Sequence, residues 1–158
     1  MKFSKPVNHF FVVTFTSIML FSSCSGDDEE QQVVEETNTV EGRYVGGWNS
    51  NPPTANVYEN EPISAIITMS GENEFTGEFF FSNAHVPCCG GDGNNGTIMM
   101  SIDGTTITSW SYDDTIPGCP GRFMGSGTIA SDGRLLIDFT GSDCEGEHAD
   151  ASLFLRKE

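Results

Sequence analysis

The stretch that decides the fold is Ile63–Ser82, ISAIITMSGENEFTGEFFFS, in which two β-rich runs flank a short polar segment. The first run, Ile63–Ser70, is rich in β-branched residues, which favour strands. The second run, Glu74–Ser82, places every second residue on one face: Phe75, Gly77, Phe79 and Phe81. The intervening SGEN at 70–73 contains the Gly and Asn of a tight turn. The stretch therefore predicts an antiparallel hairpin.

The same pattern continues on both sides of this hairpin. Between Gly42 and Glu158, short β-branched and aromatic runs alternate with Gly, Asn, Asp and Pro clusters, without helical periodicity. The length is that of one domain with a hydrophobic core. We predict the following eight strands: Gly42–Asn49, Ile63–Ser70, Glu74–Ser82, Thr97–Ile102, Thr105–Tyr112, Arg122–Ala130, Arg134–Phe139 and His148–Arg156.

The connections between these strands alternate in length. Segments 70–73, 103–105 and 131–134 are tight glycine-bearing turns, whereas 49–62, 83–96, 113–121 and 140–147 are long. In an up-and-down meander every second loop lies at the same end, so one end is closed and the other carries the long loops. An even strand number lets the first and last strands pair. This predicts an all-β fold, an eight-stranded antiparallel up-and-down barrel. A β-sandwich is the alternative, because strand periodicity does not distinguish the two.

Two short motifs bear on the kind of barrel. Gly42-Arg43-Tyr44 opens the first strand, Arg156 ends the last, and Gly46-Gly47-Trp48 follows further along strand one. The chain resembles the lipocalin-like, or calycin, group, whose members open with Gly-x-Trp and carry an arginine after the last strand. The resemblance implies that Arg156 lies beside Tyr44 at the barrel base. A barrel of eight strands is either filled by side chains or holds one small ligand.

The N-terminal residues predict export. Lys2 and Lys5 precede a mostly apolar run, His9–Phe21, and small Ser22 and Ser23 lead to Cys24, which is the layout of a secretory signal. The run is shorter than the roughly 20 apolar residues of a membrane span. The LFSSC ending resembles a bacterial lipoprotein box, and the SGDDEE that follows resembles the acidic export tag of Bacteroidetes surface lipoproteins.

This second resemblance implies a location. Residues 1–23 would be a signal peptide, and Cys24 would be lipidated and become the mature N-terminus. Residues 24–41, with many acids and no aromatic residue, are predicted to be an extended tether. Residues 42–158 would form the barrel. The protein is expected at the outer membrane, exposed at the cell surface and attached by its lipid alone.

The net charge restricts the partners. The chain has 23 acidic and 7 basic residues, so loss of Lys2 and Lys5 with the signal leaves 23 against 5, a formal charge of −18. Such a surface repels phosphate backbones, and nucleic acid is therefore not an expected partner. The charge is otherwise typical of a soluble domain at a crowded surface.

Four cysteines remain besides Cys24, and all lie in predicted long loops: Cys88, Cys89, Cys119 and Cys144. Outside the cytoplasm they are expected to form two disulfides. A bond between neighbours Cys88 and Cys89 requires an unfavourable small ring. Two pairings stay open, and each links the Cys88-Cys89 loop to both the Cys119 loop and the Cys144 loop.

No motif predicts a metal, a cofactor or catalysis. His85 and His148 flank the cysteines, but no Cys-x-x-Cys spacing of a zinc site is present. Asp92 and Asn94 alternate like the start of a calcium loop without its terminal acid. Ser126, between two glycines, lacks the strand-turn-helix context of a nucleophile. The acids of two predicted loops are interpreted as solvated: Asp113, Asp114, Asp143, Glu145 and Glu147.

Five aromatic residues are predicted to gather at the long-loop end of the barrel: Trp48, Phe81, Trp110, Tyr112 and Phe123. They either form a ligand site or are the upper layer of the core. We expect a surface-anchored, non-enzymatic binding module that holds a small or extended ligand, such as a small molecule or glycan, at its disulfide-linked mouth. The alternative is a protein-interaction or inhibitor module that uses the rim loops and has a packed interior. The volume of a cavity at the mouth distinguishes them.

Overall fold

The computed structural model describes residues 39–55, 57–90 and 93–158. They form eight strands: β1 (Gly42–Ser50), β2 (Tyr58–Gly71), β3 (Glu74–Phe80), β4 (Gly96–Asp103), β5 (Thr106–Asp114), β6 (Gly121–Ile129), β7 (Leu135–Asp143) and β8 (Gly146–Lys157). None of these residues belongs to a helix with the length and hydropathy of a membrane span. The predictions for the signal peptide 1–23, Cys24, most of the 24–41 tether and Asp92 lie outside the described residues.

The strands form a closed barrel in the order β1 to β8, and every neighbouring pair is antiparallel. Pairing between β1 and β8, from Tyr44 opposite Lys157 to Asn49 opposite Ser152, completes the ring. The predicted all-β, eight-stranded up-and-down barrel is therefore confirmed, and the β-sandwich alternative is wrong. The strand order fits a lipocalin-like barrel.

The hairpin β2–β3 shows how local sequence produces this order. Ser64 pairs with Phe80 and Gly71 with Glu74, so the turn predicted at 70–73 is the observed one. Asn73 has a φ of 60°, a left-handed conformation that asparagine tolerates better than most residues. The alternation in β3 directs Phe75 and Phe79 inward, where both are buried.

Two predicted long loops are partly strand. β2 begins at Tyr58 rather than at Ile63, which shortens the connection after β1. β7 reaches Asp143 and β8 begins at Gly146, so a tight turn replaces the loop predicted at 140–147. These segments are polar, but backbone pairing needs no apolar side chain. The loops that remain long at this end, which we call the mouth, are therefore 51–57, 81–95 and 115–120.

The barrel is filled below the mouth. Its buried aliphatic side chains come from all around the ring: Ile63, Ala65, Ile67, Ile98, Ile102, Ile107, Leu135, Ile137, Leu153 and Leu155. Each fully buried leucine or isoleucine stabilises the fold by roughly 1.5–3 kcal/mol. At the base, the hydroxyl of Tyr44 donates a 2.7 Å hydrogen bond to the carbonyl of Val40, which closes that end. Burial raises the pKa of Tyr44 to about 12.

Arg156 does not lie beside Tyr44, and this expectation from the resemblance is wrong. Arg156 pairs with Val45 and is exposed, whereas Tyr44 pairs with Lys157 and points inward. Strand alternation explains the difference, because Leu155 takes the inward position and the next residue must face solvent. The Gly-Gly-Trp motif has a packing role instead. A Cβ at Gly46 would collide with the carbonyl of Phe154, so glycine lets β1 approach β8 closely.

Candidate functional site

A cavity of about 370 Å³ lies at the mouth of the barrel. The ends of β1, β5 and β7, the start of β2 and β8, and the loops that carry the cysteines all contribute to its wall. Its lining has three parts, which are an aromatic floor, a set of carboxylates and two disulfides.

Trp48 is the centre of the aromatic floor. Its side chain is only 1% exposed. Its ring contacts Phe81 and Phe123 edge-on, with centroids 5.4 Å and 5.2 Å away, and packs on Phe139 at 4.2 Å. Such contacts stabilise beyond the area they bury and hold each ring in one orientation. Phe81 and Phe123 line the cavity together with Trp48.

A chain of hydrogen bonds orients the histidine in the wall. The Nε1–H of Trp48 donates to the hydroxyl of Ser50 at 2.8 Å, and this hydroxyl lies 3.0 Å from Nδ1 of His148. Nε2 of His148 lies 3.2 Å from Oδ1 of Asp143. Because a carboxylate only accepts hydrogen bonds, the contact with Asp143 requires a proton on Nε2 of His148, while the Ser50 hydroxyl faces Nδ1.

The same three side-chain types form a catalytic triad in hydrolases, but here the hydroxyl of Ser50 is not accessible from the cavity. Ser50 is 5% exposed and does not line the cavity. Its oxygen faces Trp48 and His148, so a substrate in the cavity does not reach it. A nucleophile must be able to approach its target within about 3–3.5 Å. The three side chains position one another and the floor.

A second group of bonds fixes the turn between β7 and β8. The hydroxyl of Tyr58 donates to the carboxylate of Glu145 at 2.7 Å, and the amide of Glu145 donates to Oδ1 of Asp143, also at 2.7 Å. The hydroxyl of Thr54 donates to the carbonyl of Glu145. Burial, followed by the hydrogen bond to Glu145 and the surrounding carboxylates, raises the pKa of Tyr58. The phenol therefore stays a hydrogen-bond donor at neutral pH.

Asp114 is the most deeply placed carboxylate of the wall. It is 6% exposed, and its Oδ1 accepts a 2.7 Å hydrogen bond from the amide of Ile116. Burial raises the pKa of this carboxyl to about 6, against the hydrogen bonds from Ile116 and Tyr112, which favour the charged form. The interpretation of Asp114 as a solvated loop acid is wrong. Its neighbour Asp113 does face solvent, 3.4 Å from the guanidinium of Arg122.

The two disulfides differ from both pairings left open by the sequence. Cys119 is bonded to Cys144, with Cα atoms 4.8 Å apart, and Cys88 is bonded to Cys89. The pairing of β6 with β7, in which Arg122 lies opposite Ser142, brings the loop before β6 next to the turn after β7. Cys89 has a φ of 62°, a left-handed conformation that accompanies the bond between neighbours. The predicted presence of two disulfides is confirmed, and the predicted pairing is wrong.

Asn95 organises the 81–95 loop, a role that no motif in the sequence predicted. Its Oδ1 accepts from the amides of Phe81, at 2.9 Å, and Cys88, at 3.0 Å. Its backbone carbonyl accepts from the hydroxyl of Tyr112 at 3.0 Å. One buried side chain thus holds the Phe81 ring and the Cys88-Cys89 pair at the cavity. Its position directly before β4 is the only signal, and many asparagines at strand ends carry no such role.

The five predicted aromatic site residues divide into two groups. Trp48, Phe81 and Phe123 line the cavity, as described above. Tyr112 is fully buried, and Trp110, one inward position deeper along β5, is 2% exposed and packs 5.4 Å from Phe139. The structure therefore places Trp110 and Tyr112 in the upper layer of the core, which was the alternative for these rings. Tyr58 joins the lining because β2 begins earlier than predicted.

The two histidines near the cysteines lie in different places. His85 is on the outside of the barrel, where its ring packs edge-on against Phe80 at 6.0 Å. Only His148 reaches the cavity, and its ligand atoms lie within 4.8 Å of those of Asp143 and Glu145. A divalent cation is a possible ligand for these three side chains on chemical grounds.

No family model matches this chain, and neither a curated protein nor a solved structure matches it. The cavity and the side chains around it are therefore the basis for a functional assignment.

Proposed function

We propose that this protein is a binding module that holds a small ligand in the cavity at the mouth of its barrel. The cavity carries the proposal, because a volume of about 370 Å³ lies in the range of about 300–1,000 Å³ typical of small-molecule sites. An interaction module with a filled interior is the alternative. The barrel is filled only below Trp48, and above this residue the side chains leave open space.

The mouth is well suited to binding because it is held rigid before a ligand arrives. The closed barrel fixes the strand ends, the Cys119–Cys144 bond links the 115–120 loop to the turn between β7 and β8, and Asn95 holds the 81–95 loop. A preformed site loses less conformational entropy on binding than a mobile one. We infer binding without chemistry, since the Ser50 hydroxyl is buried against Trp48 and His148 and does not line the cavity.

We further propose that the module is displayed at the cell surface by a lipid on Cys24. The signal-like N-terminus, the LFSSC box and the acidic segment support this location. The direction of the strands is compatible with it. β1 begins at the base and ends at the cavity, so a tether entering β1 joins the end of the barrel that is remote from the mouth.

A cavity-blocking variant tests the binding function. Full-length protein is purified in mild detergent, and small molecules bound to it are measured by native mass spectrometry. Binding of added 2-phenylethanol and 2-phenylethylamine is measured by the fluorescence of tryptophan. Ile116 lines the cavity, and I116W should reduce occupancy and probe binding at least tenfold.

The control is V86W, which adds the same ring at an exposed position that does not line the cavity. V86W should bind like the parent protein, and both variants should unfold at the parent temperature. Equal binding in I116W and V86W would contradict a ligand site at the mouth. So would the absence of bound molecules and of probe binding in the parent protein.

A further inference from the structure

We infer that the cavity selects an organic cation, namely a small primary or quaternary amine that carries an apolar group. The inference rests on the binding function proposed above and specifies the chemistry of the ligand. It comes from one juxtaposition, in which a buried carboxylate without a basic partner faces a space floored by aromatic rings.

The charge of the lining is of one sign. Four acidic residues contribute to the wall: Glu61, Asp114, Asp143 and Glu145. Among the described residues that line the cavity there is neither lysine nor arginine, and His148 is the one basic side chain. Low-dielectric walls strengthen the field of such charges. An anionic ligand would be repelled at this site, and a cation attracted.

Asp114 adds an observation that does not depend on the number of acids. Asp114 is more than nine-tenths buried, and the donors that face its carboxylate are neutral, namely the amide of Ile116 at 2.7 Å and the phenol of Tyr112. Within the described part of the chain, no basic group lies in ion-pair range of it. Burial holds its pKa well above the ordinary value, and the nearby Asp143 carboxylate acts in the same direction. A cation in the cavity would supply the positive charge that no side chain provides beside Asp114.

The aromatic floor determines what kind of cation fits. Partly buried Phe81 and Tyr58 are the accessible rings of the lining, and the nearly fully buried rings of Trp48 and Phe123 lie behind them at the floor. Ammonium groups are attracted to aromatic faces, and the apolar part of an amine can pack on the same rings. The volume lies near the lower end of small-molecule sites, which suits a ligand with one ring or a short chain.

A divalent metal ion would bind to a different set of side chains in the cavity wall than an organic cation. Asp143, Glu145 and His148 offer it three ligand atoms, but these atoms already bond to one another and to the protein. Both ring nitrogens of His148 are engaged, and the Glu145 carboxylate accepts from Tyr58. A metal would have to break these hydrogen bonds. An ammonium group beside Asp114 leaves all of them in place.

Four probes of similar shape and different charge test the inference by isothermal titration calorimetry on the full-length protein at pH 7.5 with EDTA. They are 2-phenylethylamine, its N,N,N-trimethyl derivative, 2-phenylethanol and 3-phenylpropanoate. Both cations should bind at least tenfold more tightly than the alcohol, and the carboxylate should bind most weakly. A separate titration without EDTA uses zinc chloride.

Variants at two neighbouring positions test whether the preference for cations comes from the buried carboxylate of Asp114. D114N keeps an oxygen acceptor for the Ile116 amide and removes the charge, so it should weaken both cations at least tenfold and leave the alcohol unchanged. D113N is the matched control. Asp113 faces solvent beside Arg122, and its replacement should change no affinity. Thermal unfolding confirms that both variants are folded.

The outcomes separate the inference from the proposed function. If the alcohol binds as tightly as the amines, the charge preference is overturned and a binding cavity remains. If no probe binds to the parent protein, the inference and the proposed function fail together. If zinc binds and neither amine does, the cation site is a metal site, and the inference of an organic ligand is wrong. Equal losses in D113N and D114N would also overturn it.

Discussion

Asp114 carries a charge into the barrel mouth at a position where a neutral side chain would suit the empty domain better. Its pKa of about 6 lies above the ordinary 3.8 of an aspartate because of burial. The folded state therefore binds the Asp114 proton more strongly than the unfolded state. The stability from this proton is fully present below pH 3.8 and is lost as the pH rises through about 6. Such unfavourable charges cluster at functional sites.

D114N should consequently stabilise the empty protein at pH 7.5, by up to about 3 kcal/mol, because asparagine has no charge to bury. The gain should disappear at pH 3.5, where the parent carboxyl is protonated in both states. Urea unfolding at the two pH values measures it, with D113N as the control. An equal gain at both pH values would mean that the stabilisation does not come from removing the ionisable carboxyl of Asp114.

Trp110 and Phe81 should respond differently to truncation. Trp110 is 2% exposed in the core, so W110A should destabilise the fold by about 3–5 kcal/mol. Phe81 is only partly buried and faces the cavity, so F81A should lose less stability and more probe affinity. Denaturant unfolding and the 2-phenylethylamine titration give both quantities. If W110A were as stable as the parent protein and bound the probe more weakly, Trp110 would belong to the ligand site and not to the core.

The inward position of Asp114 could have been predicted from the sequence, and the burial of Trp110 could not. Trp110, Tyr112 and Asp114 alternate along β5, so continuing the pattern by one step places the carboxylate inside. The depth of the Trp110 side chain along the barrel axis does not follow from this alternation. It depends on the tilt of the strands and on neighbours across the sheet, such as Gly125 opposite Trp110, which lie far away in the sequence.

At the scale of the elements, apolar alternation and turn chemistry predict most of the strands. The tight turns were predictable because glycine and asparagine are required where φ is positive, as at Gly104 and Gly133. The turn between β7 and β8 was hidden because Gly141 and Ser142, which pair with β8, resemble loop residues. The disulfide pairing could not be predicted either, because it depends on which loops the closed barrel brings next to each other.

The two disulfides should contribute unequally to stability. The Cys119–Cys144 bond closes a loop with a sequence separation of 25, whereas Cys88–Cys89 joins neighbours. A bond restricts the unfolded chain more when its loop is longer. The double variant C119A/C144A should therefore lose about 3 kcal/mol and C88A/C89A clearly less. Urea unfolding measures both, after intact mass confirms the remaining bond. Equal losses would contradict the observed pairing.

At the scale of the whole molecule, the cavity lies at the end of the barrel opposite to the start of β1, where the proposed tether would join. The N-terminal box then predicts membrane association through one residue. C24A should move the protein from the membrane fraction to the soluble fraction, because a protein attached by a lipid alone is released when the lipidated residue is replaced. Fractionation with immunoblotting measures the change, and S25A is the control. An unchanged membrane share in C24A would contradict the anchor.

The pairing of β1 with β8 also determines when folding can finish. Each of the other strand pairs joins neighbours along the chain, but β1 pairs with β8, the last of the eight strands in sequence. Until β8 arrives, β1 and β7 each have an unpaired edge, to which a second chain can add. Closing so large a loop has an entropic cost and slows folding. The domain therefore completes its fold only when β8 has paired with β1, and before that it is open to aggregation.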